Sequence, residues 1–128
     1  MKSILIAESY DDVAELFGCL FARDGWTVTL SRDGLGAADA LGGRDHYDAV
    51  LVSNRLCGLS GVDLITRIRA LAHRQDVPIV MVTGTVDVTL AAGALAAGAD
   101  GILYKPADVD ILVVTVNKCV ERRPPRDT

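Results

Sequence analysis

Little in this chain of 128 residues meets the usual needs of a catalyst or a metal centre. Cys19, Cys57 and Cys119 lie far apart without metal-ligand spacing, and read as free thiols of a reducing cytoplasm. His46 and His73 belong to no partner motif and read as surface residues. No glycine-rich phosphate loop follows the first apolar run, which argues against a binder of a small cofactor. No apolar run approaches the roughly 18 residues of a membrane span, and the opening MKSILIAES is too brief for a signal peptide. Basic residues number 13 against 17 acidic, for a net charge of −4, and no basic face is clustered enough for nucleic acid. The one basic cluster, Arg122, Arg123 and Arg126 in ERRPPRDT, reads as a solvated tail. With no nucleophile beside a base, the chain is expected not to be an enzyme.

What is abundant is aliphatic: hydrophobic residues make up 50% of the chain and aromatics only 5%, enough for one domain with a sizeable core. Short apolar runs alternate with helical periodicity. SILIA (3–7) predicts a strand, and residues 11–23 predict a helix with Val13, Leu16, Phe17, Leu20 and Phe21 on one face. Asp11 or Asp12 can cap that helix and Gly25 marks its end. Strands are expected at 26–30, 49–53, 77–82 and 101–104, and helices at 34–41, 61–71, 86–97 and 109–120. Ser60 suits an N-cap, and Pro124-Pro125 ends regular structure.

Five strands alternating with five helices call for a doubly wound parallel α/β sheet, with the continuous apolar strands 1, 3 and 4 in its centre. Such sheets carry their sites at the carboxyl ends of the strands. Glu8-Ser9, Ser53-Asn54, Thr83-Gly84 and Lys105-Pro106 occupy those ends.

These residues carry a resemblance. ILIAESYDDVAELF, YDAVLVSNRLCGLSGVDLITRIRA, VPIVMVTG and AGADGILYKPAD follow one another as in the receiver domain of bacterial two-component response regulators. The likeness runs from residue 3 to about 120 and implies a flavodoxin-like (βα)5 fold, strand order 2-1-3-4-5. Residues 1–121 are then the receiver-like domain and 122–128 a disordered tail, with no output domain, so that any role passes through another protein. A typical receiver accepts a phosphoryl group on an aspartate ending strand 3 and holds Mg²⁺ with that aspartate and two acids after strand 1. The resemblance places Thr83 and Lys105 at the family's phosphoryl-contacting positions and implies a cis Lys105–Pro106 peptide. It also exposes departures: Ser53 stands at the acceptor position, Ser9 replaces one of the paired acids beside Glu8, Ile102 takes the place of the switch aromatic, and Cys57 that of a loop proline.

Magnesium requires near-octahedral oxygen ligands anchored by carboxylates. Each missing carboxylate forfeits roughly 4 kcal/mol per unit charge at about 4 Å and an effective dielectric near 20. Binding of Mg²⁺ is therefore expected to be weak or absent. A serine hydroxyl, unlike an aspartate, needs a base, and Glu8 is the sole candidate at these strand ends. The hydroxyls of Ser9, Ser53 and Thr83 with Lys105 leave two readings open: a non-covalent phosphate or sulfate, or hydroxyls bonded to one another, Glu8 and water.

A second apolar surface is expected. In the fourth helix Ala91, Ala94 and Leu95 can face inward, leaving Val86, Leu90, Gly93 and Ala97 on another face, joined by Ile111 and Val114 of the fifth helix. Helix 4, strand 5 and helix 5 form the signalling surface of the resembled family. The sequence thus predicts a cytoplasmic, phosphorylation-independent interaction module that meets a sensor kinase, another signalling protein or a second copy of itself. The alternative is a receiver still switched through Ser53 phosphorylation or a bound anion.

Overall fold

The apolar runs form one parallel sheet in the computed structural model, which describes residues 1–106 and 108–122. The strands are β1 (Ser3–Ala7), β2 (Thr27–Ser31), β3 (Ala49–Ser53), β4 (Ile79–Thr83) and β5 (Gly101–Tyr104), in the order β2-β1-β3-β4-β5. Between and after them run α1 (Asp11–Arg23), α2 (Gly34–Gly42), α3 (Gly61–Ala70), α4 (Val88–Ala97) and α5 (Leu112–Arg122). The expected fold class and strand order are those observed. Arg122, expected in the basic tail over 122–128, is the last residue of α5; positions 123–128 lie outside the described residues.

Strand residues point alternately to opposite faces, and that alternation sorts the core into two halves. Leu5, Val50, Val52, Ile79 and Met81 meet Ala37 and Leu41 of α2, Leu64, Ile65 and Ile68 of α3, and Ala94 of α4. Ile4, Ile6, Leu51, Val80 and Val82 meet Phe17 and Phe21 of α1 and Leu112, Val116 and Cys119 of α5. At about 1.5–3 kcal/mol for each large apolar side chain buried, the central strands need helices on both faces. β3 and β4 are buried at every residue, whereas the edge strand β2 is partly exposed throughout.

Helix starts follow local chemistry. Ser60 accepts from Asp63 N at 3.1 Å, as expected of an N-cap, and Asp87 caps α4 through Thr89 N and Leu90 N. α1 departs from expectation: neither Asp11 nor Asp12 caps it. Its N-cap is Tyr10, which makes no side-chain cap bond, and both acids sit in the exposed first turn. There the helix dipole favours them, and Asp11 pairs with Arg32. Leu16, placed by periodicity on the buried face, is 47% exposed. The sequence pattern also missed Arg74, which is buried and donates to the carbonyls of Leu41, Gly43 and Asp45, with its guanidinium 5.1 Å from the Tyr47 ring centroid. It ties the end of α2 to the 3-10 turn Ala72–Arg74.

Parallel pairing brings the carboxyl ends of the strands to one edge: Ala7 aligns with Val52, Ser53 with Val82, and Thr83 with Tyr104. The turn after β3 is tight. Gly61 N donates to Asn54 O at 2.9 Å, and a Cβ on Gly61 would lie 2.4 Å from Ser53 O. Gly61→Ala must therefore push the start of α3 away from the end of β3. It is expected to cost about 2 kcal/mol in urea unfolding and to move the amide resonances of residues 53 and 54.

Candidate functional site

Glu8 follows β1, and its backbone N–H donates to Ser31 O at 3.0 Å, which fixes where its side chain enters the molecule. That side chain has no solvent exposure. One oxygen, Oε1, accepts from Lys105 Nζ at 2.6 Å and from Ser53 Oγ in a second, close contact. The other, Oε2, accepts from Tyr10 N at 3.1 Å. Lys105 follows β5; its backbone N–H donates to Thr83 O at 2.8 Å, and the Lys105–Pro106 peptide is cis, as the resemblance implies. The ammonium also lies 5.9 Å from the Phe17 ring centroid.

Taking two charges out of water costs several kcal/mol per ion, repaid only when the geometry is good and the remaining lone pairs are satisfied. Here both carboxylate oxygens have donors, and the contacts to Lys105 and Ser53 are charge-assisted. Ser53 is itself buried, so its hydroxyl is committed inward to Glu8.

Not every expected residue joins this cluster. Ser9 Oγ accepts from Cys57 N at 3.0 Å and stitches the loop after β1 to the loop after β3. Thr83, also buried, uses its hydroxyl oxygen to accept from Thr85 N at 3.1 Å. Ser53 bonds Glu8, as one of the two readings of the hydroxyls has it, whereas the Cys57 partner of Ser9 belongs to neither reading. Ile102 is half-buried, packs on the core beneath α2, α3 and α4, and aligns with Met81; the aromatic aligned with Thr83 is Tyr104. Asp48 accepts from Ser3 N at the opposite end of the sheet. Among the described residues, no group of three His, Cys, Asp or Glu side chains is placed to hold a metal.

Outside the buried cluster opens a cleft of about 390 Å³, lined among others by Tyr10, Asn54, Arg55, Thr83, Thr85 and Lys105. Arg55 is exposed, and the sequence pattern marks it only as a loop residue.

The second apolar surface needs correction. Val86, Ile111 and Val114 are exposed, as expected, but Leu90, Gly93 and Ala97 are half-buried and Ala97 packs on the core. Leu95, expected inside, is 52% exposed, and Val88 faces solvent as well. The physical reason is that α4, VTLAAGALAA, is apolar nearly all round, so periodicity gives it no phase. The exposed large apolar side chains of this region are therefore Val86, Val88 and Leu95 with Ile111 and Val114.

Comparison with known proteins bears on the same elements. The family described as response regulator receiver domain matches residues 4–117. The chain belongs to that family. The receiver is 33% identical, over 93% of its length, to 49% of the Streptomyces coelicolor transcriptional regulatory protein CseB. It spans about half the length of the curated relatives it matches. Among solved structures, it superposes with TM-score 0.88 on a response regulator from Chloroflexus aurantiacus, at 27% identity over 94% of this chain and 98% of that one. The receiver domain of a Pseudomonas aeruginosa sensor histidine kinase, solved with a magnesium ion coordinated in its active site cleft, superposes with TM-score 0.85 at 28% identity, over 94% and 98% of the two chains. The chain is thus a receiver domain of the kind used in two-component signalling.

Lys105→Met strands the Glu8 carboxylate and is expected to cost about 3 kcal/mol in urea unfolding. Adding Glu8→Gln removes the stranded charge and is expected to recover more than half of that loss. A double variant no more stable than the single one would show that the pair is not coupled.

Proposed function

We propose that this receiver works without aspartyl phosphorylation, as a protein-interaction module rather than an enzyme. One observation carries the reading: the Glu8 carboxylate is closed on Lys105 and Ser53, and no acid stands at the end of β3 to take a phosphoryl group. In a receiver of the usual kind, the lysine and the acids serve a metal and a phosphoryl group. Here the lysine already has its counter-charge inside the protein, and the acid that would ligate magnesium has both oxygens occupied. A divalent cation would have to displace Lys105 from Glu8 and still find its other ligands among hydroxyls and water. Ser53 fares no better as an acceptor, because a buried hydroxyl bound to a carboxylate that also holds a lysine faces no open path to a phosphodonor.

With the chemistry set aside, the exposed apolar side chains Val86, Val88, Leu95, Ile111 and Val114 support a role in contact with another protein. They lie on α4 and α5 and the segments just before those helices, flanking β5. The partner is a sensor kinase or other signalling protein, or a second copy of this chain. Neither nucleic acid nor lipid is favoured: the net charge is −4, and among the described residues no helix is long and apolar enough to cross a membrane.

Incubation with Mg²⁺ and either acetyl phosphate or beryllofluoride is expected to give no mass adduct and no amide shifts at Thr83 or Lys105. The variant carrying Ser9→Asp and Ser53→Asp is expected to gain Mg²⁺ binding, since three carboxylates would then converge. A beryllofluoride adduct of the unaltered chain would overturn the reading. For the apolar face, sedimentation across the micromolar range separates the two partners: a mass that rises with concentration and drops back in Leu95→Lys identifies a second copy. A monomer throughout leaves a different protein as the partner.

A further inference from the structure

We infer that the outer edge of β2 pairs antiparallel with the β2 edge of a second copy of this chain, about a two-fold axis at Thr29. The contact is separate from the exposed apolar side chains of α4 and α5, which flank β5 at the opposite end of the strand order.

The backbone of β2 sets the contact. Its ladder to β1 runs from Thr27 N, which donates to Lys2 O at 2.8 Å, to Ser31 O, which accepts from Glu8 N at 3.0 Å. A parallel ladder uses alternate residues, so Thr27, Thr29 and Ser31 turn their N–H and C=O groups to β1. Val28 and Leu30 turn theirs outward, where among the described residues no strand lies. Edge strands are commonly blunted by a charge, a proline or a bulge. The sequence TVTLS has none of these, and its register with β1 is unbroken from Thr27 to Ser31.

Symmetry names the occupant. The outward groups of Val28 and Leu30 are equally spaced about Thr29. A two-fold through Thr29 therefore sets Val28 opposite Leu30 of the second copy, a pair that exchanges both backbone bonds. Thr29 then faces its own counterpart, and threonine pairs of that kind suit a sheet. On the face toward α1, a Cβ at Gly18 would lie 3.5 Å from Leu30 Cδ2 and 3.7 Å from Val28 Cγ1. With no side chain there, Leu30 keeps 37% exposure and meets Val28 of the second copy. Charge agrees with the direction: Arg32 follows one end of β2 and Asp24 precedes the other, and reversing one strand brings the two together. Arg32 pairs with Asp11 through Nη1 alone, and Asp24 accepts from Trp26 and Asn117 at Oδ2 alone, so each retains capacity for the other. An unrelated extended peptide lacks this match, because the open edge is short: α1 stops at Arg23 and Asp33 already caps α2.

So small a contact falls below the area of a stable dimer, and the dissociation constant is expected on the order of 100 µM. The test is sedimentation and amide hydrogen exchange of the whole chain from the micromolar to the millimolar range. Mass is expected to rise toward that of a dimer while exchange slows at Val28 and Leu30. Thr29→Lys sets like charges face to face at an exposed position, and is expected to weaken association about tenfold. Thr29→Glu is expected to do the same, and an equal mixture of the two variants to restore association. Leu95→Lys is expected to leave it unchanged, which separates this edge from the α4 and α5 side chains. A monomer at every concentration, unchanged exchange at Val28 and Leu30, loss of association in Leu95→Lys, or a mixture that stays monomeric would each overturn the inference.

Discussion

Glu8 and Lys105 are 97 positions apart in the chain, yet their 2.6 Å contact depends on nearly everything between them. A carboxylate with no exposure needs a counter-charge at hydrogen-bond distance, and the counter-charge comes from the far side of the sheet order. β1 must pair with β3, β3 with β4 and β4 with β5, each in a register that ends at the same edge. The two cores on either face of the sheet hold that register, because a slip of one residue would turn every apolar side chain to the wrong face. The site and the core are thus one constraint: the packing fixes where Glu8 and Lys105 meet, and their meeting satisfies the one charge buried at that edge.

On the proposed reading, the same pair accounts for the effect of hydroxyls at two positions on the chemistry. With acids at positions 9 and 53, a lysine beside Glu8 would be outnumbered, and a divalent cation would offset the excess. With hydroxyls there, Glu8 and Lys105 are equal and opposite, and Ser53 and Tyr10 N complete the carboxylate without any ion. Lys105 is held by geometry and pays no translational cost to reach Glu8, while magnesium would have to shed water and arrive from solution.

Much of this was legible in the residues. SILIA, AVLVS and VPIVMVTG are continuous apolar runs, and only a sheet covered on both faces buries such runs completely. The strand ends gave Glu8, Ser53, Thr83 and Lys105, and all four converge at one edge. What stayed hidden was hidden for physical reasons. α4 has no polar side to orient it, so the inward and outward positions of Leu90, Leu95 and Ala97 could not be sorted by period. Asp11 and Asp12 look like caps, but the helix starts one residue earlier: Tyr10 holds the N-cap position, with Ala14 N donating to Tyr10 O, and both acids fall inside the first turn. Ser9 has the chemistry of a site residue and spends it on the Cys57 backbone, a loop-to-loop contact that no local pattern encodes. Arg74 and Arg55 are both arginines in loop-like contexts; only tertiary packing separates the buried strap from the exposed side chain that lines the cleft.

Fold and chemistry are separable in this receiver, and the cores show why. Neither apolar cluster includes residue 9 or 53, and the hydroxyls there satisfy their own bonds without disturbing a strand. Serine at those positions therefore costs the scaffold little, and on the proposed reading it leaves a metal fewer carboxylate ligands. The apolar residues of α4 and α5 that face solvent are under no such relief, because exposed Val88, Leu95 and Val114 gain nothing from the internal pairing of Glu8 and Lys105. On the proposed reading, contact with another protein is the work that such exposed side chains are suited to.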